Sequence, residues 1–194
     1  MREPCFRTSS VLAGAVGMCA SHASALGKVG EVAAIQPRLI IGVGNLFRGD
    51  YAVGLMVAQH LRLCLNIPIY EATGEGAALL ECWRDAAQVW LIDALASGAA
   101  PGTIYRLEAH AEPLSVTFFR HSTHALGLAE AVELGRVLEQ LPSRLIIYGI
   151  EGANYTVGTD LSPAVAAAVP EVVARIVAEI DTQPTADQVG TPCS

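Results

Sequence analysis

The chain is poor in charged and in aromatic residues. Of its 194 residues, 16% are charged and 6% are aromatic, whereas 52% are apolar. This composition excludes disorder for most of the chain and favours strands that are buried on both faces of a sheet. The formal net charge of −7 leaves no excess of basic residues, so we predict that the chain does not bind nucleic acid.

The chain also lacks paired cysteines and long apolar runs. Its five cysteines form no C-x-x-C pair and have no spacing that is typical of metal ligands. We interpret them as thiols of a reducing compartment, the cytoplasm, and expect Cys64 and Cys82 to be buried on helix faces. Beyond residue 37 no apolar segment is long enough to span a bilayer, which predicts no membrane partner.

Residues 1–37 differ in composition from the remainder. Two arginines precede a weak apolar run that glycines interrupt. This pattern is compatible with a signal peptide, with a disordered extension, or with a start codon placed too far upstream. We expect a single domain over residues 38–181, followed by a flexible tail over residues 182–194.

Strand-like and helix-like segments alternate from residue 38 onward. Apolar runs predict strands at residues 38–43, 67–72, 88–95, 103–107 and 145–150. Helical periodicity predicts helices at residues 52–65, 76–84, 123–141 and 163–180, the last of them kinked or restarted at Pro170. The alternation predicts an α/β fold in three layers, with a mostly parallel twisted sheet and helices on both of its faces.

The turn after the first strand holds an amide, a carboxylate and several glycines. It reads Gly42-Val-Gly-Asn-Leu-Phe-Arg-Gly-Asp50 and leaves the carboxyl end of the strand, where ligands collect in α/β folds. Gly44 and Asn45 are therefore candidate substrate-binding residues. Asp50 either caps the helix that follows or belongs to a functional site.

A nucleotide-binding or methyltransferase-like enzyme is a rival interpretation of this turn. Gly42 and Gly44 begin a G-x-G pattern, but the third glycine of the dinucleotide fingerprint would fall at Phe47. The chain also has no Gly-Lys-Ser/Thr phosphate loop and no G-x-S-x-G elbow. These absences argue against the rival.

Two further polar residues follow a buried strand or begin a helix. Asp93 comes directly after Val-Trp-Leu-Ile, so it either contacts a ligand at the sheet edge or caps a helix. His124 alone is typical of a solvated surface group, but beside a carboxylate it suits a metal ligand or a base. An aspartate, a histidine and a third oxygen ligand together suit a borderline divalent metal. Glu75 lies in a loop near the same edge and is a candidate for orienting a substrate.

Five segments, in this order, carry a resemblance to a known family. They are the turn that ends at Asp50 with Ala52-Val-Gly54, then Leu91-Ile-Asp-Ala94, Pro101-Gly-Thr103, His124-Ala-Leu-Gly-Leu128 and Leu161-Ser-Pro163. Together they resemble the nickel-iron hydrogenase maturation endopeptidases. The resemblance implies removal of a carboxy-terminal peptide from the precursor of the hydrogenase large subunit, once nickel has been inserted. The precursor is then the partner and supplies the nickel.

The resemblance also implies the site residues. It assigns Asp93 and His124 as nickel ligands or catalytic groups, and it places an acidic ligand at position 51. The chain has Tyr51 there, and a phenol with an ordinary pKa of about 10 is a poor substitute for a carboxylate near neutral pH. Asp50 then takes over the role, or the precursor's thiolates hold nickel unaided, or the chain is impaired.

We expect an active endopeptidase, a hydrolase in which water attacks the peptide. No serine or cysteine is in register with a base, which favours water as the nucleophile. The alternative is a maturation factor that binds the precursor without cutting it, because Tyr51 replaces the acidic ligand.

Overall fold

The computed structural model describes residues 37–111, 114 and 127–182. Five strands lie in this part of the chain: β1 (Arg38–Val43), β2 (Ile69–Ala72), β3 (Gln88–Leu95), β4 (Ile104–Glu108) and β5 (Arg144–Glu151). The helices are α1 (Val53–Cys64), α2 (Gly76–Trp83), α3 (Leu128–Val137) and α4 (Pro163–Asp181). The predicted extension at residues 1–37 and the predicted tail at residues 182–194 lie almost entirely outside the described residues. Both stay predictions.

The strands form one mixed sheet in the order β2-β1-β3-β5-β4. β1 pairs in parallel with β2 and with β3, and β3 pairs in parallel with β5. β4 is antiparallel to β5 and lies at one edge. The parallel pairing brings the carboxyl ends of β1, β3 and β5 to the same edge, and the predicted α/β sheet is confirmed.

Side chains of each strand alternate between two apolar layers. On one face, Leu91 and Leu95 of β3 pack with Leu79 of α2 and Val132 of α3. On the other face, the core includes Trp90 and Ile92 of β3 with Val57 and Leu61 of α1 and Val172 and Ile176 of α4. The sheet is therefore the middle of three layers, and the strands are uninterrupted apolar runs because both faces are covered.

Several predicted details of the helices are wrong. α1 begins after a 3-10 turn at Gly49–Ala52 and ends at Cys64, whose side chain is exposed rather than buried. α3 ends at Val137 instead of residue 141, because Glu139 takes a positive φ of 55° and turns the chain. α4 is one helix through Pro170, so the predicted restart is wrong and the predicted kink stays a prediction; this proline lies at an exposed position where water can satisfy the freed carbonyl.

None of the described helices is both long and apolar enough to cross a bilayer.

Candidate active site

In the described part of the chain, three buried carboxylates lie where the parallel strands end. Asp50 follows β1, Asp93 belongs to β3, and Glu151 is the last residue of β5. Buried carboxylates are rare unless they are paired or hydrogen-bonded. The hydrogen-bond partners of each one therefore indicate what it does.

Asp50 holds the β5–α4 loop against the first turn. Its Oδ2 accepts the backbone N–H groups of Ala153 at 2.7 Å and Asn154 at 2.8 Å, and its Oδ1 accepts that of Ser162 at 2.6 Å. Burial alone would raise the pKa of Asp50, but these hydrogen bonds outweigh it and the pKa lies below the ordinary value. The catalytic role predicted for Asp50 stays a prediction, and its contacts are those of a clamp between loops.

Glu151 likewise holds a loop in place, in this case the segment that follows β3. The backbone N–H and the hydroxyl of Ser97 donate to its Oε2 at 3.0 and 2.8 Å, and the N–H of Gly98 donates to its Oε1 at 2.8 Å. Both carboxylate oxygens are thus occupied inside the chain. Glu151 fixes the exit of β3, the strand that carries Asp93.

Asp93 accepts fewer hydrogen bonds from the described residues than the other two buried carboxylates do. Within the described residues, its one hydrogen bond comes from the N–H of Ala94 to Oδ1 at 2.8 Å, and no cation pairs with it there. Burial raises the pKa of Asp93 to about 7, which the bond from Ala94 opposes. A carboxylate in this condition can ligate a metal or accept a proton from a reacting group.

Tyr51 lies in the same region as a neutral group. Its side chain is buried in the α1–α4 layer, and its hydroxyl would be 3.1 Å from a Cβ built on Gly74. Burial raises the pKa of Tyr51 to about 12; the negative charge of Asp93 adds to this and Arg48 opposes it. The phenol therefore keeps its proton near neutral pH and supplies no anionic ligand.

Tyr155 is a residue of this region that the sequence did not single out. Its hydroxyl donates to the carbonyl oxygen of Leu95, at the end of β3. Burial raises the pKa of Tyr155, and the charges of Glu151 and Asp50 raise it further. Tyr155 lies in an irregular loop without periodicity, so no sequence pattern pointed to it.

The three predicted substrate-binding residues have different surroundings. The N–H of Gly44 donates to Ala72 at 2.9 Å, and a Cβ on Gly44 would lie 2.0 Å from the carbonyl oxygen of Tyr51, so only glycine fits. The side chain of Asn45 accepts the N–H of Phe47 at 2.9 Å and stabilises the turn. Glu75 is exposed directly before α2. Contact of these three with substrate stays a prediction.

The second predicted catalytic residue, His124, lies outside the described residues. Over the parts of the chain that are described, no three His, Cys, Asp or Glu side chains come together as a metal site. A metal held here would need ligands from elsewhere. The ligand role of His124 stays a prediction.

The fold and the carboxylates define an α/β protein with a polar site at the carboxyl ends of parallel strands, a usual place for an enzyme active site. The sequence profile of the hydrogenase maturation proteases, HycI, matches residues 56–179. The chain therefore belongs to the hydrogenase maturation protease family, a family of peptidases. The match includes Asp93 and His124 and begins after Tyr51.

Individual relatives agree with this assignment. The hydrogenase 2 maturation protease of Escherichia coli K12 is 29% identical over 147 residues, which is 73% of this chain and 89% of that protein. HupD of Thiocapsa roseopersicina is 26% identical over 117 residues, which is 58% of this chain and 53% of HupD. The chain thus spans about half the length of that HupD.

Solved structures share the fold. The hydrogenase maturating endopeptidase HybD from E. coli superposes with a TM-score of 0.63 at 24% identity, covering 74% of this chain and 91% of HybD. The maturation protease HycI from Thermococcus kodakarensis gives 0.56 at 23% identity, covering 78% and 96%. At these identities the likeness is one of fold.

Proposed function

We propose that this chain is an endopeptidase that removes the carboxy-terminal peptide of a [NiFe] hydrogenase large-subunit precursor, in the cytoplasm, after nickel has been inserted. Nickel belongs to the substrate and is not a resident cofactor. Asp93 and His124 contact the precursor's metal centre, and water attacks the scissile peptide. Family membership supports the type of reaction and the kind of partner.

One observation carries the assignment of Asp93. Asp50 and Glu151 have both carboxylate oxygens occupied by hydrogen bonds, whereas Asp93 has one bond from within the described residues, and it comes from its own neighbour. Of these three carboxylates, Asp93 keeps the most capacity for an external ligand.

The fold gives topological support for pairing His124 with Asp93. Asp93 lies on the same face of β3 as Leu91 and Leu95, which pack against the layer that contains α2 and α3. His124 precedes α3, the helix on that layer, in the sequence. In the sequence, His124 therefore comes shortly before a helix that packs on the Asp93 face of the sheet, which supports this pairing.

The direct test follows the mass of the precursor. We expect a purified nickel-loaded precursor to lose the mass of its carboxy-terminal peptide when it is incubated with this chain, and a nickel-free precursor to stay intact. Mass spectrometry of both samples checks this. Full-length precursor after incubation with nickel would contradict the proposal. Complex formation without loss of mass would instead support the non-cleaving precursor-binding factor.

Tyr51 is the observation that favours this second candidate. Since its phenol stays neutral, the site has one anionic group fewer than the resemblance implies. We expect Tyr51→Asp to raise the initial cleavage rate several-fold, because a carboxylate there adds a hard anionic ligand for the metal centre. Tyr51→Phe is the matched control and should cleave within about twofold of wild type, since it removes only the hydroxyl.

Equal rates for wild type and Tyr51→Asp would show that position 51 is not a ligand position. The comparison uses folded fractions matched by circular dichroism, because a carboxylate at this buried position is expected to lower stability by about 2 kcal/mol or more.

A further inference from the structure

Two neighbouring loops expose apolar side chains beside the candidate site. Leu46 and Phe47 of the β1–α1 turn are 47% and 76% exposed, and Val157 of the β5–α4 loop is 70% exposed. The backbone N–H of Gly158 donates to the carbonyl oxygen of Phe47 at 2.8 Å, so the two loops meet at this point. We call Leu46, Phe47, Arg48 and Val157 the two-loop surface.

The two-loop surface is held in place by hydrogen bonds. The N–H of Gly49 donates to Thr159 at 3.1 Å, and that of Asp50 donates to Asn154 at 2.7 Å. The carboxylate of Asp50 adds its three bonds to the same loop. Apolar groups on a fixed scaffold lose little conformational entropy when they are covered, which favours association.

Arg48 gives this surface an unsatisfied polar group. Its guanidinium carbon lies 6.0 Å from the ring centroid of Tyr51, and its Nε is buried with no hydrogen-bond partner among the described residues. Because this Nε is closed to solvent, a bound protein would meet the guanidinium only through its remaining N–H groups, which can donate to an oxygen atom.

The charge of the two-loop surface indicates what covers it. Arg48 is the charged residue of the two-loop surface, and the exposed Asp160 lies further along the β5–α4 loop. Pairing with a second copy about a two-fold axis that passes through Arg48 would bring two guanidiniums together. A different protein, with apolar groups and an oxygen acceptor, meets no such repulsion.

We propose that the two-loop surface docks the hydrogenase large-subunit precursor, which rests on the proposed function. The turn that carries Phe47 also carries Asn45 and Tyr51, so the surface is continuous with the candidate site. Phe47 and Val157 contact apolar side chains of the precursor, and Arg48 donates to one of its oxygen atoms. The surface sets affinity, whereas Asp93 acts in the cleavage step.

The test compares exposed apolar residues on this surface with equally exposed ones elsewhere. Phe47→Ser and Val157→Ser are expected to raise the Kd and the KM for nickel-loaded precursor about tenfold, with kcat within about twofold of wild type. The matched controls are Leu63→Ser on α1 and Val137→Ser on α3, whose parent side chains are 86% and 78% exposed. Both controls should bind like wild type.

The outcomes separate the two proposals. If wild type cleaves and all four variants bind alike, the surface assignment is wrong and the proposed function stands. If wild type neither binds nor cleaves, the precursor is not the occupant and both proposals are wrong. Thermal unfolding of each variant shows whether it is folded. If Phe47→Ser is unfolded, the result for Val157→Ser decides the test. Self-association of wild type that Phe47→Ser abolishes would instead identify a second copy as the occupant.

Discussion

Replacing Asp93 by asparagine is expected to slow cleavage of the nickel-loaded precursor by at least about 100-fold, since a neutral amide cannot act as an anionic ligand or as a base. The same substitution should not unfold the chain. Burial raises the pKa of Asp93 to about 7, so the folded state holds a proton that the unfolded chain releases near pH 4. Ionisation of Asp93 therefore lowers the stability of the folded state as the pH rises from about 4 to 7.

This pH dependence of stability provides a second measurement on the Asp93→Asn variant. Above pH 7 the asparagine variant should be more stable than wild type, by on the order of 1–3 kcal/mol, and the gain should shrink toward pH 4. Urea unfolding at pH 5 and pH 8 measures the free energy difference. Asp85→Asn, at an exposed position before the same strand, is the control and should change neither activity nor stability. Normal cleavage by Asp93→Asn would refute the assignment.

Replacing Asp50 by alanine is expected to lower the free energy of unfolding at pH 7 by about 3–5 kcal/mol. The substitution leaves three backbone N–H groups without their acceptor, at Ala153, Asn154 and Ser162. A loss of this size is a large share of the 5–15 kcal/mol that is typical of a domain.

The pH dependence of this loss has the opposite sign to that of Asp93. The pKa of Asp50 is lowered in the folded state, so its contribution is fully present above the ordinary value of 3.8 and disappears as the pH falls through the folded-state pKa. The stability difference between wild type and Asp50→Ala should therefore be largest at neutral pH and shrink in acid. Asp160→Ala, an exposed aspartate of the same loop, is the matched control. A constant difference from pH 7 to pH 3 would contradict the clamp role.

Local patterns predicted the strands well because both faces of the sheet are covered. β1 and β3 were predicted to the residue, since each is a continuous apolar run bounded by polar residues or by a turn. Helix ends were predicted less well. Val137 has the spacing of an inward residue, yet it is exposed at the last position of α3.

The site was predictable only in part, for a physical reason. The position of Asp93 at the end of β3 follows from the apolar residues before it. The partners of Asp50 do not follow from any local pattern, because they lie 103 to 112 residues further along the chain. The roles of Tyr155 and Glu151 likewise depend on contacts between loops that only the folded sheet brings together. The apolar pair Leu46 and Phe47 in a polar turn is a local signal of an exposed apolar surface.

The long reach of the Asp50 clamp has a consequence for synthesis of the chain on the ribosome. Its partners belong to the loop before α4, so the first turn cannot acquire its final form until nearly the whole domain has emerged. Contacts of such high sequence separation form late in folding. A growing chain therefore exposes an incomplete site, and the ability to engage another protein arises only once the last helix has docked.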